Sequence, residues 1–72
     1  MKRIYVGIET KTDIYGVVEP TKILLHSVPY QIERIIHTTV ITSTLCCYIV
    51  LISGKQNRLF RSDERWFIEE LK

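Results

Sequence analysis

Residues 45–71 read LCCYIVLISGKQNRLFRSDERWFIEEL, and this stretch decides the fold. Three apolar runs are separated by two short polar connections, the pattern of a three-stranded meander. Cys46–Ile52 is short, rich in β-branched and aromatic residues, and ends at Ser53-Gly54, which fits a strand followed by a turn. Alternation puts Tyr48, Val50 and Ile52 on one face and Ile49 and Leu51 on the other. Both faces are apolar, so the strand is either covered on both sides or meets a partner. Ile49 and Leu51 are therefore candidate interface residues.

Gly54-Lys55-Gln56-Asn57 is polar, contains a glycine, and is read as a hairpin loop. Arg58–Arg61 then runs to Ser62-Asp63-Glu64, and Arg65–Leu71 follows. With Asp63 and Glu64 at the tip, Ser62 faces Arg65, Arg61 faces Trp66, Phe60 faces Phe67, Leu59 faces Ile68 and Arg58 faces Glu69. One face then carries Leu59, Ile68 and Trp66 with Arg61 beside the indole. The other carries Phe60 and Phe67 flanked by an Arg58–Glu69 charge pair. Such cross-strand pairs are worth roughly 0.2–1 kcal/mol each. A helix is the competing reading of this end, with Ser62 as N-cap and Asp63 and Glu64 in its first turn. At about ten residues it is marginal without packing, and the strand is preferred.

The same logic extends outward. Ile4, Val6 and Ile8 alternate with Tyr5 and Gly7 in a first strand that reaches toward Thr12; Gly7 marks a bulge or a close backbone approach. Asp13-Ile14-Tyr15-Gly16 is a turn, with Gly16 free to adopt positive φ. A second strand, Val17–Leu25, contains Pro20, which belongs at an edge or a break because it cannot donate to a ladder. After His26-Ser27-Val28-Pro29, Tyr30–Ile41 makes a long third strand whose apolar phase slips, and a bulge near Glu33–Arg34 reconciles it. The count is five or six strands. An all-β fold is expected: a small, strongly bent antiparallel barrel or roll of the SH3-like type.

At 72 residues the chain is read as one domain, residues 1–72, whose size limits burial to about 60% of its unfolded surface. A hydrophobic content of 46% is ample for a core. The basic start Met1-Lys2-Arg3 lacks the apolar run of a signal peptide. The longest apolar run, Leu45–Ile52, is far short of the ~20 residues of a membrane helix, so no membrane association and a cytoplasmic location are expected. Cys46 and Cys47 are adjacent and point to opposite sides of a strand, which speaks against a disulfide framework. The net charge of +2 permits nucleic-acid binding without arguing for it.

The chain resembles a family of small bacterial proteins with no assigned activity. The resemblance runs through Lys2-Arg3-Ile4-Tyr5-Val6, Tyr15-Gly16 with Pro20 and Ile23, Tyr30-Gln31-Ile32-Glu33-Arg34-Ile35, and Tyr48-Ile49-Val50 with Ile52 and Gly54. Its most specific part is the ending, Leu59-Phe60 and Arg65-Trp66-Phe67-Ile68-Glu69, an RWF-aliphatic-Glu motif. The chain departs from the pattern at His26-Ser27-Val28-Pro29, where the family has an aromatic and acidic-Gly turn. It departs again at Asp63-Glu64, where the family has a glycine. The resemblance implies a compact single domain and supplies no catalytic residue.

Chemistry-bearing residues are sparse. His26 and His37 lie far apart and Cys46 and Cys47 diverge, so no metal site is expected. The thiols sit in apolar strands, which favours the unreactive protonated form. The glycines are isolated and form no phosphate-binding or dinucleotide fingerprint. Neither an enzyme, nor a cofactor, nor a small-molecule substrate is indicated. What remains is surface: Lys55, Arg58, Arg61 and Arg65 beside Phe60, Trp66 and Phe67 on the last hairpin, a pattern suited to single-stranded nucleic acid. The apolar second face of the meander argues instead for a protein partner or a second copy, a homodimer being one form. A non-catalytic interaction module is the expectation, with nucleic-acid binding through the basic hairpin as the alternative.

Overall fold

Alternation in the first strand is realised as read: Ile4, Val6 and Ile8 are half-buried while Arg3, Tyr5 and Gly7 face outward. The computed structural model describes residues 3–69. Seven strands follow in order: β1 (Arg3–Thr12), β2 (Val18–Leu25), β3 (Val28–Gln31), β4 (Arg34–Val40), β5 (Leu45–Ile52), β6 (Lys55–Ser62) and β7 (Arg65–Glu69). They form a single antiparallel sheet, β3-β2-β1-β7-β6-β5-β4, curled into a half-barrel. The described residues contain no helix, and none is long and apolar enough to cross a membrane.

The strand count exceeds the expected five or six because the long third strand is two. β3 pairs with β2 and β4 pairs with β5, at opposite ends of the sheet. The chain crosses between them at Ile32 and Glu33, next to the expected phase slip. Ile32 N–H donates to the Thr21 carbonyl at 3.0 Å and Glu33 N–H to the Leu51 carbonyl at 2.8 Å. A second irregularity at Ile36, between Ile35 and His37, lets Ile35 and Thr38, three residues apart, lie opposite the inward-facing Val50 and Tyr48.

Turn chemistry fixes the registers. His26 and Ser27 both have positive φ (50° and 66°), as do Ser53 and Gly54 (52° and 75°), the backbone of two-residue hairpin turns that match strand twist. The β5–β6 connection is thus Ser53-Gly54, not Gly54–Asn57, and β6 begins at Lys55. The Asp63-Glu64 tip is a two-residue turn, with Asp63 at φ 55°, and the pairings from Ser62–Arg65 through Leu59–Ile68 are as read. The C-terminal helix does not form over residues 65–69; residues 70–72 lie outside the described part. Asp13 shapes the β1–β2 turn: its carboxylate accepts from Tyr15 N–H at 2.8 Å and Val17 N–H at 3.0 Å, and Gly16 has φ 80°.

Pro20 and Gly7 have the roles their chemistry assigns. Pro20 pairs with Thr10 at a register shift, beyond the point where β3 stops covering β2. Gly7 lies opposite Leu24, and an added Cβ there would come within 3.2 Å of the Leu24 Cβ, so the approach of β1 and β2 depends on the missing side chain.

The concave face holds the core: Ile23, Ile32, Tyr48, Val50, Leu59 and Trp66, with Val6, Ile8, Ile35, Cys46, Ile52 and Ile68 packed around them. No polar or charged side chain is buried among the described residues. Tyr48 and Trp66 stack at 5.7 Å between centroids, a contact worth about 0.5–1.5 kcal/mol beyond burial. Leu59 is completely buried at the centre of β6. Truncating it removes packing from a core with no reserve: Leu59→Ala should cost about 2–5 kcal/mol, comparable to the few kcal/mol a domain of this size commands. Urea titration followed by Trp66 fluorescence checks this; a midpoint near that of the native protein would show that Leu59 is not central.

Candidate functional site

The convex face carries a second aromatic set. Because β1 pairs with β7 and β7 with β6, Tyr5 lies beside Phe67, Phe67 beside Phe60, and Phe60 beside Cys47 of β5. Phe60 and Phe67 stack nearly parallel at 5.1 Å, and Tyr5 meets Phe67 edge-on at 5.6 Å. The Arg3 guanidinium lies 4.7 Å from the Phe67 centroid, and that of Arg65 lies 5.7 Å from the Tyr5 centroid. The result is an aromatic row roofed by arginines. Phe67 is 3% exposed and Phe60 8%, whereas Tyr5 is 55% exposed. Of the three rings, Tyr5 alone offers substantial area to a partner.

Of the residues singled out on the last hairpin, Arg58, Phe60, Arg65 and Phe67 share this convex face. Trp66 does not: it is buried on the concave side, stacked on Tyr48. Arg61 follows it, its guanidinium 5.7 Å from the indole centroid and its Nε donating to the Asp63 carbonyl at 3.1 Å. Lys55 sits at the far end of β6, opposite Ile52. Alternation had already assigned Trp66 and Phe67 to opposite faces, but with both faces apolar it could not say which turned inward. The expected Arg58–Glu69 pair does not reach ion-pair distance; among the described residues the one ion pair is Lys11–Glu19, at 3.9 Å and exposed.

Arg3 and Tyr5 were not singled out from sequence. They join the hairpin through the β1–β7 ladder, which pairs Arg3 with Glu69 and Tyr5 with Phe67. The available signal was the outward phase of Tyr5 in β1, which alternation gives but does not connect to the C-terminus.

Ile49 and Leu51 are half-buried on the convex side of β5. Ile49 lies between Arg58 and His37, and Leu51 between Gln56 and Arg34. Beyond them is the edge strand β4, with Ile36 and Val40 exposed, Val40 at 70%, and Ile41 exposed just past its end. Ile41 N–H donates to the Leu45 carbonyl at 2.9 Å. Ladder alternation then turns the backbone groups of Thr39 and His37 toward β5 and those of Thr38 and Val40 away from it. A further exposed apolar pair, Ile14 and Tyr15, crowns the β1–β2 turn.

Among the described residues no group of three His, Cys, Asp or Glu side chains converges as a metal site would. Both cysteines are free and half-buried, Cys46 on the core side and Cys47 beside Phe60 at the end of the aromatic row. Burial pushes the Cys47 thiol above its ordinary pKa; the nearby Arg58 opposes this and Glu69 reinforces it. A raised thiol pKa contributes stability that is complete below the ordinary thiol range and is lost as pH climbs through the raised value. Cys46→Ala should therefore react with a disulfide reagent slowly at neutral pH, accelerating only above the pH at which a free cysteine does so. Rates matching free cysteine across that range would contradict it.

Set against known protein families, curated proteins and solved structures, the chain matches none of them.

Proposed function

We propose that this protein is a non-catalytic interaction module that self-associates, edge to edge, through β4. The observation that carries this reading is the contrast between the sheet's two edges. β3 is four residues long and contains Pro29, two features that discourage strand addition. β4 is seven residues long, with exposed Ile36 and Val40 and exposed Ile41 just beyond it. It has no proline or lysine, and its one formal charge, Arg34, is at its start. The outward backbone groups of Thr38 and Val40 are what an added strand requires.

A second copy suits this edge. Antiparallel pairing about a two-fold axis at Thr39 keeps Arg34 of each copy away from its equivalent, opposes Thr38 of one copy to Val40 of the other and sets Thr39 against its own equivalent. Isologous pairing also closes the assembly at two copies. Toward Arg34 the edge is less open, since Val18 and Glu19 face Ile35 and Thr38 across a groove; the bulge at Ile36 sets a similar limit. Ile49 and Leu51 flank the join on the convex side. This reading takes the domain as a small roll of the SH3-like kind working in the cytoplasm.

Light scattering over a concentration series tests it. The native chain should be a dimer whose dissociation constant rises at least about tenfold, or 1.4 kcal/mol, in Val40→Lys, an exposed position outside the core. A native chain that stays monomeric at the highest concentrations, or a Val40→Lys dimer of undiminished affinity, would overturn the proposal.

A further inference from the structure

We infer that the groove between the β6–β7 turn and the convex face of β1 binds single-stranded nucleic acid. Arg3, Arg61 and Arg65 would take backbone phosphates and the Tyr5 ring would stack on one base. This goes beyond self-association and is independent of it: the groove belongs to the middle of the sheet, while β4 is its edge.

Three guanidiniums from three strands line one groove of about 810 Å³, together with Tyr5, Asp63 and Glu64. That volume lies within the ~300–1,000 Å³ typical of ligand sites. Among the described residues no carboxylate is at ion-pair distance from any of the three arginines. Their charge is instead held in place by rings: Arg3 over Phe67, Arg65 over Tyr5 and Arg61 over Trp66. A guanidinium laid against an aromatic face keeps its in-plane N–H groups, which are the ones that match phosphate oxygens. The ordering cost of these long side chains is thus met partly before a ligand arrives.

The identity of the ligand follows from what is and is not exposed. Phosphates answer the arginines, and the exposed Tyr5 ring adds a stacking platform that tolerates any base. Phe67 is sealed beneath Arg3 and stacked on the buried Phe60, and the two rings support the site from below. Asp63 and Glu64 form an acidic rim at the turn, which would repel phosphates and steer the strand toward Arg3. One stacking ring and three cations describe a short, sequence-tolerant footprint. An acidic peptide would use the arginines and leave Tyr5 idle.

The test is fluorescence anisotropy of a labelled mixed-sequence single-stranded oligonucleotide with the intact chain. Neutralising three phosphates gives a salt slope near −2, so affinity should fall about twentyfold between about 50 and 200 mM salt. Arg3→Ala combined with Arg65→Ala should weaken binding at least about tenfold, Tyr5→Ala should weaken it with the salt slope kept, and Arg34→Ala on β4 should leave it unchanged. Arg61→Gln, the mildest of these changes, supplies a separate reading should the double variant fail to fold. Absence of binding at low salt, an equal loss in Arg34→Ala, or competition by polyglutamate as effective as by unlabelled oligonucleotide would each overturn the inference.

Discussion

Two consecutive amides keep the roll closed. Ile32 donates to β2 and Glu33 to β5, so one peptide step joins the strands next to the two edges of the sheet. Antiparallel strands twist by about 20–25° relative to their neighbours, and seven of them left open would display one apolar face to water. The step at Ile32–Glu33 converts that twist into enclosure and brings the inner residues of β2, β5, β6 and β7 into one cluster around Leu59 and Val50. Glu33 also reaches the β5–β6 turn, its carboxylate accepting from Gly54 N–H at 3.3 Å.

A single curled layer has only one inside, and this chain has more large apolar side chains than that inside can take. The surplus is packed on the convex face by a different means. Phe60 and Phe67 stack across β6 and β7, Tyr5 closes one side, and arginine stems with their planar heads lie over the rings in place of a second layer. A charged surface and a buried aromatic pair are thereby parts of one arrangement. The sheet's outer middle is hydrated and cationic, and its β4 rim is apolar.

The three strands of the meander were legible in the sequence, and so was the β6–β7 register, because its turn is two residues long and the pairing follows by counting. The break between β3 and β4 left a trace as a slip of phase between Tyr30–Ile32 and Ile35, but that slip fits a bulge within one strand equally well and does not show that the chain crosses to the other edge of the sheet. Proline at position 20 and glycine at position 7 carried their constraints openly. The β1–β7 ladder was not legible: it joins residues separated by most of the chain, and alternation in two strands says nothing of their adjacency. Arg3 and Tyr5 were missed as neighbours of the hairpin for that reason. The inward choice of Trp66 over Phe67 was hidden as well, since two apolar faces give a pattern no direction. Beginning β6 at Lys55 needed the positive φ of Ser53, a conformation that its residue type does not advertise.

The pairing of Arg3 with Glu69 places both ends of the described chain at the same end of adjacent antiparallel strands. Tension applied through those ends would load the β1–β7 bonds one pair after another, as a zipper is opened, instead of shearing the ladder all at once. The seam from Arg3–Glu69 to Val6–Trp66 would part first, dividing the sheet into β1–β3 and β4–β7, with the Ile32–Glu33 crossing as the link between them. Resistance to pulling would thus be low for a sheet of seven strands. A protein of this build, threaded end-first into an unfolding machine, would yield at small force however stable it was at rest.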